Sequence, residues 1–336
     1  MDNFLDKIFF RSRNHDYISQ NLIDLTKQTT AHKIFEALNS YSDDSEVRYV
    51  GGCIRKIIKK QIVDDIDLAT NLRPNEVCDA LKKKQINYYE TGIDHGTITA
   101  IIDDNKYEIT SLRKDISTDG RHAKVEFSLD WKEDATRRDF SINSIYSDKD
   151  GNLFDPYNGK KDLERGKVNF IGDAENRIKE DYLRILRYVR FFINYSNQDH
   201  DPKIIKIIKK NIDGVSKLSS ERLLDEFKKL TKSNAFLEMF KDDVCLEIIR
   251  MIFPQLKNLD NLKKLNSHAQ DNLSKVDFIF LLSLLIVDGT DNTDYFIYKF
   301  NLSKKDQKRL RSIDLFYKEN VNLKNFTEKN LNKIFY

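Results

Sequence analysis

The chain is short of the residues that loops, cross-links and membranes need. Its 336 residues include only 11 glycines and 4 prolines. That scarcity, with abundant Lys, Ile and Asn, matches the bias of an AT-rich coding sequence as much as any structural demand. Cys53, Cys78 and Cys245 are scattered without a CxxC pair or metal-ligand spacing. The odd count excludes a simple disulfide framework and points to a reducing compartment. No apolar run is long enough to cross a bilayer as a helix. The opening Met1-Asp2-Asn3-Phe4-Leu5-Asp6 carries acids and lacks the apolar core of a signal peptide, so a cytoplasmic location is expected. Neither sign of charge dominates. The 57 Lys and Arg against 54 Asp and Glu leave +3, a weak lean toward an anionic partner. There is no internal repeat.

What remains is the composition of a soluble globular protein, 40% hydrophobic and 33% charged, long enough for two or three domains. Residues 1–45 read as polar amphipathic helix, with Ile34, Phe35 and Leu38 at helical spacing. Val47–Val50 reads as a strand ending at Gly51-Gly52. A helix follows over 54–61, and a second strand lies within 62–70. Pro74 opens a helix over 75–84. Strands over 96–102 and 106–112 flank an Asp103-Asp104-Asn105 turn. From about residue 134 the pattern becomes helical. Phe154–Gly159 forms a turn-rich joint, a strong helix spans 180–193, and Ser219 or Ser220 caps another. The expected fold class is α+β: a mixed β-sheet with helices, followed by an all-helical remainder. The expected division is an N-terminal helical segment at 1–45, a β-rich domain at 46–150, and helical parts at 151–232 and 233–336.

Asp65-Ile66-Asp67 is the most informative motif. Alternate residues of an extended segment share a side, so Asp65 and Asp67 project together while Ile66 turns to the core. Like charges held that close repel unless a cation lies between them. Hard oxygen ligands beside a substrate phosphate fit Mg²⁺. Gly51 and Gly52 would let a triphosphate approach the backbone, the next helix would offer its first amides, and Arg55 would add a charged fork. Glu108 is either a third carboxylate of this site or a solvent-facing strand residue. His95 either shapes a turn or acts as a base.

Two further stretches carry charge in a pattern. In Asp134–Asn143 the pair Arg137-Arg138 lies at the joint between β-rich and helical regions. Arg138 is a candidate triphosphate or ribose contact; Asp139 and Asn143, four apart on one helix face, would fix the joint. In Glu180–Phe191, Asp181, Arg184, Arg187 and Arg190 recur every three residues beside a Leu183, Leu186, Val189 stripe. The plain reading is an amphipathic helix with i,i+3 ion pairs. The functional reading rests on base chemistry. A carboxylate beside a guanidinium matches the amino group and ring nitrogen of cytosine or adenine. Guanine and uracil leave both contacts unpaired, at about 1–3 kcal/mol each when buried. Such a pair would select C and A without a template.

The motifs Gly51-Gly52-x-x-Arg55, Asp65-x-Asp67, Thr118-Asp119-Gly120-Arg121-His122-Ala123, Arg137-Arg138-Asp139 with Asn143, and Glu180-Asp181-x-x-Arg184-x-x-Arg187 together resemble the class II tRNA nucleotidyltransferases of the polymerase-β superfamily. The resemblance spans about 47–195. It implies a catalytic head at 46–150, a base-recognition neck at 151–232, and a body and tail at 233–336 that grip tRNA. It implies template-independent addition of CCA to a tRNA 3′ end from CTP and ATP, with release of pyrophosphate and two-metal Mg²⁺ chemistry. Asp65 and Asp67 would hold the metal. Gly52, Arg55, Arg138, Arg187 and Arg190 would contact the nucleotide, Asp181 and Arg184 would read its base, and 109–122 would contain a loop that aids the switch from C to A. Family members often carry Arg-Asp after the glycine pair; here Lys56 follows Arg55. No His-Asp phosphohydrolase set is apparent, since His15-Asp16 and His200-Asp201 lack clear partners. The same chemistry is shared by CC-adding and A-adding enzymes and by poly(A) polymerase. A non-catalytic RNA-binding protein is the rival of another class.

Overall fold

A computed structural model of the chain describes residues 17–118, 123–233, 235–273 and 275–320. It divides into two compact units. The first holds the chain up to Glu180 together with Tyr195–Asp199, and the second holds Asp181–Asn194 and the chain from His200 onward.

The first unit is built on a seven-stranded sheet in the order β3-β4-β5-β2-β1-β8-β9. Its strands are β1 (Val47–Val50), β2 (Asp67–Thr70), β3 (Asn87–Gly92), β4 (Thr97–Ile102), β5 (Asn105–Ser111), β8 (Tyr146–Ser147) and β9 (Leu153–Phe154). A separate hairpin pairs β6 (Arg113–Thr118) with β7 (Ala123–Phe127). Residues 119–122, where part of the expected loop falls, lie outside the described residues. One face of the sheet buries Tyr49, Leu68, Ile98, Tyr107 and Ile109. Against it pack helix α1 (17–28), α2 (Ala31–Asn39), α3 (Gly52–Ile58) and α4 (Pro74–Lys83). The other face carries a small cluster of Val50, Ala69, Leu112, Ala135 and Tyr146, covered by Trp131 of α5 (Trp131–Arg137). Helices α6 (Gly159–Glu164) and α7 (Ala174–Glu180) complete the unit.

The turn between β4 and β5 forms where expected. Asp103 and Asp104 both adopt positive φ, 48° and 64°, as a tight hairpin turn requires. Strand β3, the β6–β7 hairpin and the two-residue strands β8 and β9 were not anticipated. Asn87–Gly92 is mostly exposed and has no apolar alternation to betray it.

The second unit is helical. It runs through α8 (Leu183–Tyr195, its last residue grouped with the first unit), α9 (Pro202–Asn211), α10 (Ser220–Thr231), α11 (Asp243–Ile252), α12 (Leu259–Leu262), α13 (Ser267–Leu273), α14 (Phe278–Ile286), α15 (Asn292–Phe300) and α16 (Lys304–Asn320). Its core is aromatic: Phe253 packs 4.8 Å from Phe227 and 5.8 Å from Phe300, ring centre to ring centre. Helix α14 is apolar almost all round, so it is largely buried rather than amphipathic. Its cap Asp277 accepts from the Ile279 and Phe280 amides and is gripped by both guanidinium nitrogens of Arg309. Among the described residues no helix is long and apolar enough to cross a membrane.

The expected single helix over 180–193 is interrupted. Glu180 ends α7, and Asp181 turns the chain so that its Oδ1 accepts the Leu183 amide at 3.1 Å. A short acceptor side chain can bond the backbone two residues on as readily as sit within a helix, and here it makes such a turn just ahead of α8. The buried face of α8 is also broader than the expected stripe. Leu186 and Val189 are buried, Leu183 only partly, and Arg184, Ile185, Tyr188 and Phe191 join them.

Candidate active site

The site residues of the first unit converge through the sheet. β2 runs parallel to β5 with Asp67 opposite Glu108. Leu68 and Ile109 enter the core, so their neighbours Asp67 and Glu108 share the opposite face. Strand pairing begins only at Asp67. Asp65 is exposed on the extended segment just before it, while Ile66 packs on the core as expected. The three carboxylates interact electrostatically. Burial, then Asp65, then Glu108 push the Asp67 carboxyl up to about 6, against the pull of Arg55 and Arg138. A carboxylate so crowded by acids is a ready ligand for a cation, and an all-oxygen donor set suits a hard one.

The glycine pair lies against this carboxylate. A Cβ built on Gly51 or on Gly52 would sit 3.8 Å from Asp67 Oδ2 and 4.0 Å from the Arg55 guanidinium. Gly51 has φ 70° and ψ −114°, a conformation side chains rarely adopt, as it turns β1 into α3. The pair therefore leaves open the surface where carboxylate and guanidinium meet. Lys56, the residue after Arg55, bonds to Asp64.

Arg55 is held by a relay. Its Nη1 donates to Asn143 Oδ1, and Asn143 Nδ2 donates to Asp139 Oδ1 at 2.6 Å. Asp139 and Asn143 do meet, but not on an α-helix. The chain is extended at Arg138 and Phe140 and tightens into a single 3₁₀ turn over Ser141–Asn143.

Arg138 is tied into the scaffold. Its guanidinium bonds Asp134 Oδ2 at 3.0 and 3.1 Å, the Tyr146 hydroxyl at 2.9 Å and the Asn143 carbonyl at 3.3 Å. Asp134 is 1% exposed and also takes Arg137 Nε at 2.7 Å. The adjacent arginines hold its carboxyl far below the usual range despite burial. Arg177 donates to the carbonyls of both Arg137 and Arg138 and pairs with Glu180. Sequence reasoning missed Tyr146 and Arg177 altogether. Neither sits in a recognisable local pattern: Tyr146 reaches back 8 and 12 residues, and Arg177 reaches back 39 and 40. His95 lies exposed at the end of a 3₁₀ turn.

The remaining candidates belong to the second unit and form a cluster there. Asp181 Oδ2 accepts Arg222 Nη2 at 2.7 Å. Glu226, 2% exposed, accepts Arg190 Nε at 2.5 Å and lies 3.8 Å from Arg187. Arg184 is 9% exposed. Arg187 and Arg190 thus reach across to Glu226 of α10.

Comparison with known proteins gives this arrangement a family. Residues 47–169 match the model "Poly A polymerase head domain", and 200–259 match "Probable RNA and SrmB- binding site of polymerase A". The CCA-adding enzyme of Lactobacillus johnsonii is 31% identical over 81% of this chain and 68% of its own length. The chain belongs to the CCA-adding enzyme family. The human mitochondrial CCA tRNA nucleotidyltransferase 1 is 36% identical over 83% of this chain, which spans 63% of that protein's length. Among solved structures, the Bacillus stearothermophilus CCA-adding enzyme in complex with CTP aligns with a TM-score of 0.71 at 23% identity, covering 90% of this chain and 73% of its own. That likeness establishes the α+β fold. Nucleotidyltransferases of this class use divalent metals, and the Asp65, Asp67 and Glu108 oxygens are a donor set suited to one.

Proposed function

We propose that the chain is a template-independent nucleotidyltransferase that builds CCA on the tRNA 3′ end from CTP and ATP, releasing pyrophosphate. The observation that carries this reading is the crowded carboxylate at Asp67, flanked by Asp65 and Glu108 and open toward Gly51, Gly52 and Arg55. In this reading Asp65 and Asp67 hold Mg²⁺, with Glu108 as a third carboxylate. The bound metal supplies activation of the terminal 3′-hydroxyl and neutralisation of phosphate charge. Arg55, aimed by Asn143 and Asp139, binds triphosphate oxygens as a fork. The bare backbone at Gly51 and Gly52 admits the phosphates. Arg138 contributes positive field from its anchored position. Catalysis then comes from positioning and charge rather than from a side-chain base.

Asp181 and Arg184 read the base, and Arg187 and Arg190 contact the nucleotide. Residues 46–150 act as the head, 151–232 as the neck, and 233–336 as the body and tail that hold the acceptor arm through its phosphates. The match of 200–259 to an RNA-binding model supports an RNA substrate. Three free, buried cysteines fit a reducing compartment such as the cytoplasm.

The test is extension of tRNA transcripts ending at the discriminator base, at C or at CC, with CTP, ATP or both in Mg²⁺. Ordered completion to CCA from every start is expected. Arrest after CC, or use of CC ends alone, would assign half of a split system. The head-domain match bears poly(A) polymerase in its name, and a long A-tail would move the assignment there. No NTP turnover on any primer would leave an RNA-binding protein.

A further inference from the structure

A second group of ligating side chains lies wholly within the helical unit. His200, Asp242 and Cys245 each place one ligand atom within 4.8 Å of the others. The His200 Nε2 is 2.9 Å from Asp242 Oδ2 and 3.7 Å from Cys245 Sγ. Tetrahedral Zn²⁺, with bonds of about 2.0–2.3 Å, spaces its ligand atoms roughly 3.3–3.7 Å apart. The His200–Cys245 separation already falls in this range, and the His200–Asp242 hydrogen bond needs to open by about 0.4 Å for an ion to enter.

Each ligand is already aimed. The other ring nitrogen of His200 bonds the Tyr188 hydroxyl at 2.9 Å, and the ring stacks on Phe192 at 3.6 Å between centroids. A partner on the distal nitrogen is the usual way a metal-binding imidazole is oriented. Asp242 Oδ1 accepts the Cys245 amide at 2.9 Å as the N-cap of α11, which leaves Oδ2 turned to His200. Cys245 is fully buried, whereas His200 and Asp242 keep partial exposure, so solvent can supply a fourth ligand. No local spacing marks this site, because His200 and Cys245 are 45 residues apart.

We infer that His200, Asp242 and Cys245 form a site for a thiophilic divalent ion, Zn²⁺, with water in the fourth position. Imidazole and thiolate prefer zinc over magnesium, so this site is chemically separate from the all-oxygen carboxylates of the head. As the Zn–S bond forms, the Cys245 S–H bond breaks and its proton passes to solvent, with no change of oxidation state. The ion would clasp the segment entering α9 to the first turn of α11, with Tyr188 bracing it from α8.

The experiment strips the full chain with EDTA and titrates it with Co²⁺ and then Zn²⁺. One equivalent of Co²⁺ should give thiolate-to-metal charge-transfer absorption and the strong visible bands of tetrahedral cobalt. Zn²⁺ should bleach both and raise Tm. C245S should lose the charge-transfer band, H200Q should weaken Co²⁺ binding at least tenfold, and D67A should change neither. The titration of the unmutated chain decides the matter even if a variant misfolds. A folded chain without the charge-transfer band, or a band that survives in C245S, overturns the site and leaves a hydrogen-bonded joint.

Discussion

Asp67 in the sheet unit and Glu226 in the helical unit are both carboxylates drawn away from bulk water, but their neighbours are opposite. Asp67 faces Asp65 and Glu108, and its carboxyl is pushed up to about 6. Glu226 is 2% exposed and receives Arg190, with Arg187 close by. The helical unit carries its own countercharge where it buries an acid. The sheet unit withholds enough of it to leave a place for a cation. Both acids are drawn from water, so it is the charge of their neighbours that separates them.

If that contrast is right, Asp67→Asn should lower CTP and ATP incorporation on the order of 10²–10³-fold or more while leaving Tm unchanged or raised. The sign follows from the raised carboxyl. Its folded form keeps a proton that the unfolded chain releases near pH 3.9, so the charged form costs stability from that pH upward. Labelled-nucleotide incorporation beside a thermal melt checks both halves. A large fall in Tm would make Asp67 a structural acid and erase the contrast.

Glu226→Ala should act on stability instead. It removes the buried carboxylate that Arg187 and Arg190 share, at a cost of about 3 kcal/mol in urea unfolding. A loss under about 0.5 kcal/mol, the range of exposed pairs, would show that solvent already satisfies the arginines.

Asp134 offers a third comparison, because it is buried like Glu226 and paired with arginines but belongs to the sheet unit. Its arginine partners hold its carboxyl far down. The stabilisation is therefore complete above the unfolded value of about 4 and drains away as pH falls below it. Asp134→Asn should lower the urea midpoint at pH 7, with the gap to the parent narrowing at pH 3. A constant gap would remove ionisation as the cause.

The smaller effects sharpen the assignment. Asp181→Ala should raise misincorporation of UTP and GTP about tenfold, as the loss of roughly 1–2 kcal/mol of discrimination implies. Sequenced product ends measure this, and unchanged C and A choice would refute the base-reading role. Glu108→Gln should weaken Mg²⁺ dependence severalfold. An identical Mg²⁺ titration would return Glu108 to the ordinary surface of β5.

The legible parts of the molecule were those with short-range signals. The strand that carries Asp67 could be read because its apolar signal is local, and Pro74 and Ser219 marked helix starts by their own chemistry. The break at Asp181 was hidden, since a helix-compatible pattern runs straight through it. The Asn143 relay depends on a 3₁₀ turn whose spacing imitates an α-helix. Tyr146 and Arg177 had no local signal at all. Their roles exist only once Asp134 and the carbonyls of Arg137 and Arg138 have been brought to them.

The parallel pairing of β2 with β5 carries a consequence for how the protein matures. Asp67 and Glu108 are brought side by side across a connection that contains α4, β3 and β4. Parallel pairing across such a separation closes late, because loop entropy must be overcome before the contacts repay it. On refolding from denaturant, helical signal should therefore recover ahead of nucleotide transfer, and the appearance of activity would time the final closure of the sheet.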